Sequence, residues 1–263
     1  MRDVSCELEV AVNTSADLVL TVAPHAAYQV SERLEVRLDG AQVDVIERRD
    51  VFGTRRHCFH AEPGALTVSY AGTVTGHEAP DPLPSDDLVY LRPSRYCDSD
   101  RLANVAQSMF ANSGSASDTV ESIRQWTLQS IQYAPGTTDQ LDGATEVFHS
   151  RRGVCRDTSH LVTAFARAMS IPARVAAVYA PGLVPMDFHA VSEVLIDGSW
   201  RVVDGTGLAP RGSMVRIAAG RDAADTAFLD AIRGNIDLVS MAVDARLEGV
   251  LPVDDGVTPV MFG

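Results

Sequence analysis

The stretch DFHAVSEVLIDGSWRVVDGTG (residues 187–207) decides the fold. It holds two strand-like runs, HAVSEVLID and SWRVVDG, joined at Asp197-Gly198. Asp-Gly accommodates the positive φ angles of a tight hairpin, so the two runs are expected to pair antiparallel. His189 starts the first strand and Asp204 ends the second. In such a hairpin the start of one strand lies beside the end of the next, which makes the two side chains cross-strand neighbours. A histidine with one nitrogen held by a carboxylate is an oriented acid–base group.

Upstream, ARVAAVYAP (173–181) supplies a third strand, and four helical patterns precede it. RLANVAQSMFA (101–111) places Leu102, Val105, Ala106 and Met109 at helical spacing. SASDTVESIRQWTLQSI (115–131) does the same with Val120, Ile123, Trp126, Leu128 and Ile131, with Ser117 or Asp118 as the expected N-cap. DGATEVFHSRRG (142–153) reads as a short helix closed by Gly153. CRDTSHLVTAFARAMS (155–170) carries Leu161, Val162, Phe165, Ala168 and Met169 on one face, and Ile-Pro stops it. Helices followed by an antiparallel sheet make an α+β order.

The first seventy-five or so residues differ in kind. CELEVAVNT, ADLVLTVAP, RLEVRLDG, AQVDVIERRD, RRHCFHAE and GALTVSYAGTV alternate and are broken by turn residues. About six strands at this spacing suggest a small β-sandwich or barrel-like domain. EAPDPLPSDD follows, with prolines at 80, 82 and 84. The expected organisation is a β-rich domain over 1–78, a linker or crossing segment over 79–100, and an α+β core over 101–263. His57 and His60 are read as sharing one exposed strand face, and the tail after about residue 245 as packing back on the body.

At 46% hydrophobic and 22% charged residues the chain is ordinary globular material. Its net charge is -13, and all 22 basic residues are arginine. That balance argues against a nucleic-acid surface and against docking on anionic lipid, both of which need basic patches. The N-terminus lacks the basic start and apolar core of a signal peptide, and no apolar run approaches the roughly 18 residues of a membrane span, so a cytoplasmic location is expected. The four cysteines, Cys6, Cys58, Cys97 and Cys155, form no CxxC pair and signal no disulfide framework. Cys155, His160, His189 and Asp204 are metal-ligand types, but close-spaced ligand pairs are absent. No metal and no cofactor are expected.

Cys155 opens the most apolar helix. A helix N-terminus favours the thiolate through its unpaired N–H groups and dipole. A thiolate nucleophile needs a base and later an acid, for which His189 with Asp204 is suited. Cys6, Cys58 and Cys97 read as packing residues, as do Trp126 and Trp200. Asp157 reads as structural at the helix start, and His160 as a core or cap-supporting histidine. His149 lies six residues before the thiol, a spacing that raises an oxyanion role. YAPGLVPMDF (179–188) reads equally as a plain connection or as a cleft rim.

The segments GVCRD, IPARV and DFHAVSEVLIDGSWRVVDGTG, together with IQYAPGTT upstream, resemble the bacterial transglutaminase-like superfamily, whose core is related to papain-like cysteine peptidases. The resemblance covers roughly residues 95 to 240, and the β-rich region resembles the domain that often precedes this core. It implies Cys155 as nucleophile, His189 as general base and acid, and Asp204 as its orienter. It implies a thioester acyl-enzyme formed on a peptide or protein amide substrate. Water as acceptor gives a peptidase or amidase, the favoured outcome, and an amine gives a transglutaminase. A peptide-binding module that keeps the fold without catalysis is the third class. The oxyanion donors are expected to be the Cys155 backbone N–H and a second group, Tyr133 or Trp126. Thr158 departs from the family, in which an aromatic is common at that place. The β-rich domain could restrict the cleft, bind substrate or mediate self-association as a homo-oligomer.

Overall fold

Strict alternation makes the N-terminal body. The structure, a computed structural model, describes residues 1–76 and 82–262. The chain begins with β1 (Arg2–Val12), β2 (Ala16–Leu20), β3 (Gln29–Leu38), β4 (Ala41–Gln42), β5 (Ile46–Arg49), β6 (Arg55–Ala61) and β7 (Gly64–Thr75). Helices α1 (Asp86–Val89), α2 (Ala103–Phe110) and α3 (Ala116–Ser130) follow, then β8 (Gln132–Tyr133), α4 (Ala144–Ser150), β9 (Arg152–Gly153) and α5 (Cys155–Ala168). The chain continues with β10 (Ala173–Tyr179), β11 (Phe188–Ile196), β12 (Ser199–Val203), β13 (Val215–Gly220), α6 (Ala223–Thr226), β14 (Leu229–Arg233) and β15 (Ile236–Leu247). Of the expected proline-rich crossing, Pro80 lies outside the described residues.

Two sheets form the body, one ordered β15-β1-β7-β3-β4 and the other β14-β2-β6-β5. Every second residue of β1, from Val4 through Cys6, Leu8 and Val10 to Val12, is buried against Leu66, Val68 and Tyr70 of β7 and Leu18 and Leu20 of β2. This is the period-2 pattern of a face-to-face sandwich. The expected division assigned everything from residue 101 to the core, but two late strands cross it. Val243 of β15 pairs with Cys6, and Leu229 of β14 pairs with Leu20. These strands supply the flanks that β1 and β2 would otherwise leave open. His57 and His60 are three residues apart, so alternation sends them to opposite faces: His57 is buried and His60 exposed.

The second sheet system is β12-β11-β10-β13. Helices α2 to α5 cover Ala173, Val175 and Val194 on one of its faces. Farther along, the sandwich covers Ala177, Tyr179 and Phe188. The other face carries Ala176, Val178, Val191 and Val202 with Leu183, Met214 and Phe262. Sandwich and core therefore share an interior, and Tyr179 donates its hydroxyl to Val22 O at 2.9 Å. The tail packs back as expected. Arg211 reaches Asp254 and the carbonyl of Thr258, and Val202 N–H donates to Val260 O at the β12 edge.

Helix ends follow local chemistry and shift two expectations. The N-cap of α3 is Ser115, not Ser117 or Asp118. Its hydroxyl accepts from Asp118 N–H, and the Asp118 carboxylate accepts from Ser115 N–H. α4 ends at Arg151 in the left-handed region (φ 58), so Gly153 is free to enter β9.

A buried ion cluster crosses the core sheet. Glu193 on β11 lies opposite Arg174 on β10 and accepts from its Nε at 2.7 Å. The same carboxylate accepts from Arg216 Nη1 on β13 at 3.1 Å. Burial opposes charge on Glu193, but the two guanidiniums outweigh it and hold the carboxyl below its usual range. Removing one partner from such a cluster leaves uncompensated buried charge. The E193Q variant keeps the shape and loses the charge, so we expect denaturant unfolding to register a loss of about 3–5 kcal/mol. Stability equal to the parent would show that the cluster contributes nothing.

Candidate active site

Three elements bring the expected residues together. His189 is the second residue of β11, and Asp204 follows the last residue of β12. The strands pair with Ser192 opposite Val203, so Asp204 sits diagonally from His189, just past the ladder. His189 Nε2 donates to Asp204 Oδ2 at 3.2 Å, since a carboxylate only accepts. Both side chains are buried. The second carboxylate oxygen, Oδ1, accepts from Thr206 N–H and Thr206 Oγ1, each at 2.7 Å. The short Asp204-Gly205-Thr206 turn thereby fixes the carboxylate before it meets the histidine.

Cys155 is the first residue of α5, partly exposed. The turn before it is built by Asp157, which is fully buried. Asp157 Oδ2 accepts from Val154 N–H at 2.9 Å and from Thr138 Oγ1 at 2.7 Å, while Oδ1 accepts from the Arg156 guanidinium. A Cβ on Gly153 would lie 2.6 Å from Asp157 Cβ, so only glycine fits beneath that side chain. Asp157 is therefore structural, as its place at the helix start suggests. Thr158 is buried and donates to Cys155 O, so its departure from an aromatic is absorbed behind the thiol.

The His189 Nδ1 atom is buried with no oxygen or nitrogen partner among the described residues. The other side chain acting on the ring is Cys155. Burial works against charge on His189, yet hydrogen bonding to Asp204 and to Cys155 prevails and lifts the imidazole to about 10. Burial likewise disfavours the Asp204 carboxylate, and His189 and Thr206 more than compensate, holding it low.

The two expected oxyanion side chains part ways. Tyr133 lies on β8, whose parallel pairing with β9 sets it beside Gly153, two residues before the thiol. It is 45% exposed. Burial, then the charges of Cys155, Asp187, Asp157 and Asp204, push its phenol to about 12, so it stays a donor at neutral pH. Trp126 instead packs among Phe110, Phe148 and Phe165, beneath the Arg151 guanidinium. His149 is exposed on the outer end of α4. His160 is buried, stacks on Tyr96, and accepts from Ala223 N–H at 3.1 Å, supporting the start of α6. Burial depresses it to about 4.

Sequence reading missed the Thr138–Asp157 contact and the Thr206 clasp on Asp204. The first had no signal, because nineteen residues separate its partners. The second was legible as an Asp-Gly-Thr turn.

The fold is similar along its whole length to that of a presumed cysteine protease from Cytophaga hutchinsonii, with TM-score 0.89, 29% identity, and coverage of 100% of this chain and 97% of that one. An uncharacterized protein of Mycobacterium leprae, ML0607, is 28% identical over 169 residues, which span 60% of this chain and 60% of that relative. Residues 103–205 match the family described as the transglutaminase-like superfamily. This segment runs from α2 through β12 and holds Cys155, His189 and Asp204, and over it the chain is similar to the transglutaminase-like superfamily.

Proposed function

We propose that the protein is a cysteine-dependent acyl-transfer enzyme that cleaves an amide bond and passes the acyl group to water. The observation that carries this reading is a thiol at the first turn of α5 beside a histidine that is itself bonded to a buried carboxylate. The transglutaminase-like core and the Cytophaga hutchinsonii neighbour support a cysteine-based activity in general.

In this mechanism the Cys155 thiolate attacks the amide carbonyl carbon, and the carbonyl oxygen takes up the negative charge. The first backbone N–H of α5 has no partner within the helix and is a natural donor to that oxygen. Tyr133 is the second donor. His189, charged at neutral pH, gives its proton to the departing amine as the C–N bond breaks, which leaves a thioester. Water then attacks the thioester with His189 as base, the carboxylic acid departs, and the thiolate and imidazolium are restored. Asp204 keeps the ring oriented throughout. A primary amine that reached the thioester first would be acylated in place of water.

The substrate class is a peptide or protein amide, and the first test is turnover of a peptide and glutamine-amide panel with and without an added primary amine. The parent is expected to release free acid, and Cys155→Ala is expected to lose activity to background; equal turnover by both proteins would sink the proposal. Iodoacetamide labelling of Cys155 near neutral pH, read by peptide mass spectrometry, is expected to slow at least several-fold in His189→Ala. Unchanged labelling would mean that the histidine does not activate the thiol.

The elevated His189 sets a pH signature. Its proton is present below about 10 and is lost above it, so activity should fall along an alkaline limb near that pH. Asp204→Asn removes a charge that favours the imidazolium. The limb should then move down by about one unit or more. A limb that stays in place would separate Asp204 from His189 function.

A further inference from the structure

Asp187 is not used by the mechanism above, yet it stands at its edge. It flanks Phe188 together with His189. The Phe188 ring turns toward the sandwich, where it stacks on Phe228 at 5.1 Å and packs against Tyr179 at 5.5 Å. Extended backbone alternates sides, so Asp187 projects to the side of His189. Its carboxylate accepts from Phe188 N–H at 2.7 Å, and among the described residues no arginine pairs with it. Its charge acts on Tyr133, and the His189 charge acts on it. Upstream stands Val184, 84% exposed on the connection that leads to His189. The connection that leads to His189 therefore presents an exposed apolar side chain and then an exposed carboxylate that no arginine neutralises among the described residues.

Other acids at sites of this kind are neutralised. Asp157 has Arg156, Asp254 has Arg211, and Glu193 has two arginines. Asp187 has no arginine partner among the described residues; partial desolvation raises its carboxyl above the ordinary range, and the His189 charge opposes that rise. The Asp187 carboxylate is exposed and one of its oxygens accepts from Phe188 N–H, so the group is open to a ligand cation that arrives from solvent.

We infer that Asp187 is a specificity-determining residue that receives a positively charged group, an ammonium or guanidinium, carried next to the amide bond or on the acceptor amine. This rests on the thiol reading above and adds the substrate class, which is cationic. A cation at Asp187 would align the amide over Cys155 and also suits a protein of net charge -13, which draws in positive substrates.

Two measurements test it. The first needs no substrate: Cys155 is modified with a cationic and with an anionic methanethiosulfonate reagent at low ionic strength, and the ratio of rates is compared in the parent, in Asp187→Asn and in Asp44→Asn. Asparagine retains the acceptor for Phe188 N–H. Asp44 is an exposed acid on the sandwich and controls for net charge. The cationic preference is expected to drop about fivefold or more in Asp187→Asn only, and salt should erase the difference. If Asp187 acted merely through His189, both rates would change together and the ratio would stay fixed, which overturns the inference. The second uses peptide amides carrying Arg, citrulline or Glu on either side of the scissile bond, and cationic against neutral acceptor amines. The parent is expected to favour the positive member about tenfold in kcat/KM, with the favoured position telling which side of the bond carries the charge. The preference should vanish in Asp187→Asn, and a preference that persists in that variant refutes the inference. Should no peptide turn over, the proposed activity fails and the thiol ratio still decides the role of Asp187.

Discussion

The clamp of Glu193 between Arg174 and Arg216 is the constraint on which the site depends. These residues stand on three consecutive strands of the core sheet, and each is nearly inaccessible to water. A one-residue slip of β11 would turn Glu193 to the opposite face and strand three charges in the interior. The ionic cluster thus makes one register far better than its neighbours. His189 lies four residues earlier on the same strand, and β12, which ends at Asp204, is paired to it. The height of the histidine is set by a carboxylate that lies outside the Cys155–His189–Asp204 group. The same cluster reaches outward, since the Arg174 guanidinium lies 3.9 Å over the Trp200 ring and the Trp200 indole donates to Asp86 at the start of α1.

The thiol is positioned by separate means. Asp157 folds under the first turn of α5 and ties Val154, Arg156 and Thr138 into one bracket, with Gly153 leaving it room. The parallel pair β8–β9 brings Tyr133 to the same bracket. Thr206 holds Asp204 from behind. Cys155 and Asp204 are each held by neighbours outside the Cys155–His189–Asp204 group, which is how a constellation keeps its geometry without relying on a ligand to assemble it.

Much of this was legible because local chemistry and tertiary structure agree. Asp197-Gly198 adopts the positive φ angles its residue types favour, and the hairpin follows. The helix beginning at Cys155 has a continuous apolar face and a proline stop. The illegible parts depend on partners far away in sequence. Residues 229–247 alternate weakly and expose much of one face, so nothing local says that they belong beside β1 and β2. Trp126 offers an N–H donor in sequence, and only the packing of three phenylalanines around it removes it from the site. The cap of α3 lay two residues earlier than expected because Ser115 and Asp118 satisfy each other, a reciprocal arrangement that outcompetes a single cap.

The late strands carry a consequence for biosynthesis. Arg2 faces Leu247, and Asn13 lies by Asn235. On the ribosome β1 and β2 emerge well before their outer neighbours β15 and β14, by an interval of roughly ten seconds or more at 5–20 residues per second. Through that interval the long flank of β1 presents free backbone donors and acceptors to any nascent chain on the same message. Molecules in which translation stops after β13 would hold Cys155, His189 and Asp204 yet lack both closing strands, so quality control in the cell would meet them as fragments with an open sheet edge.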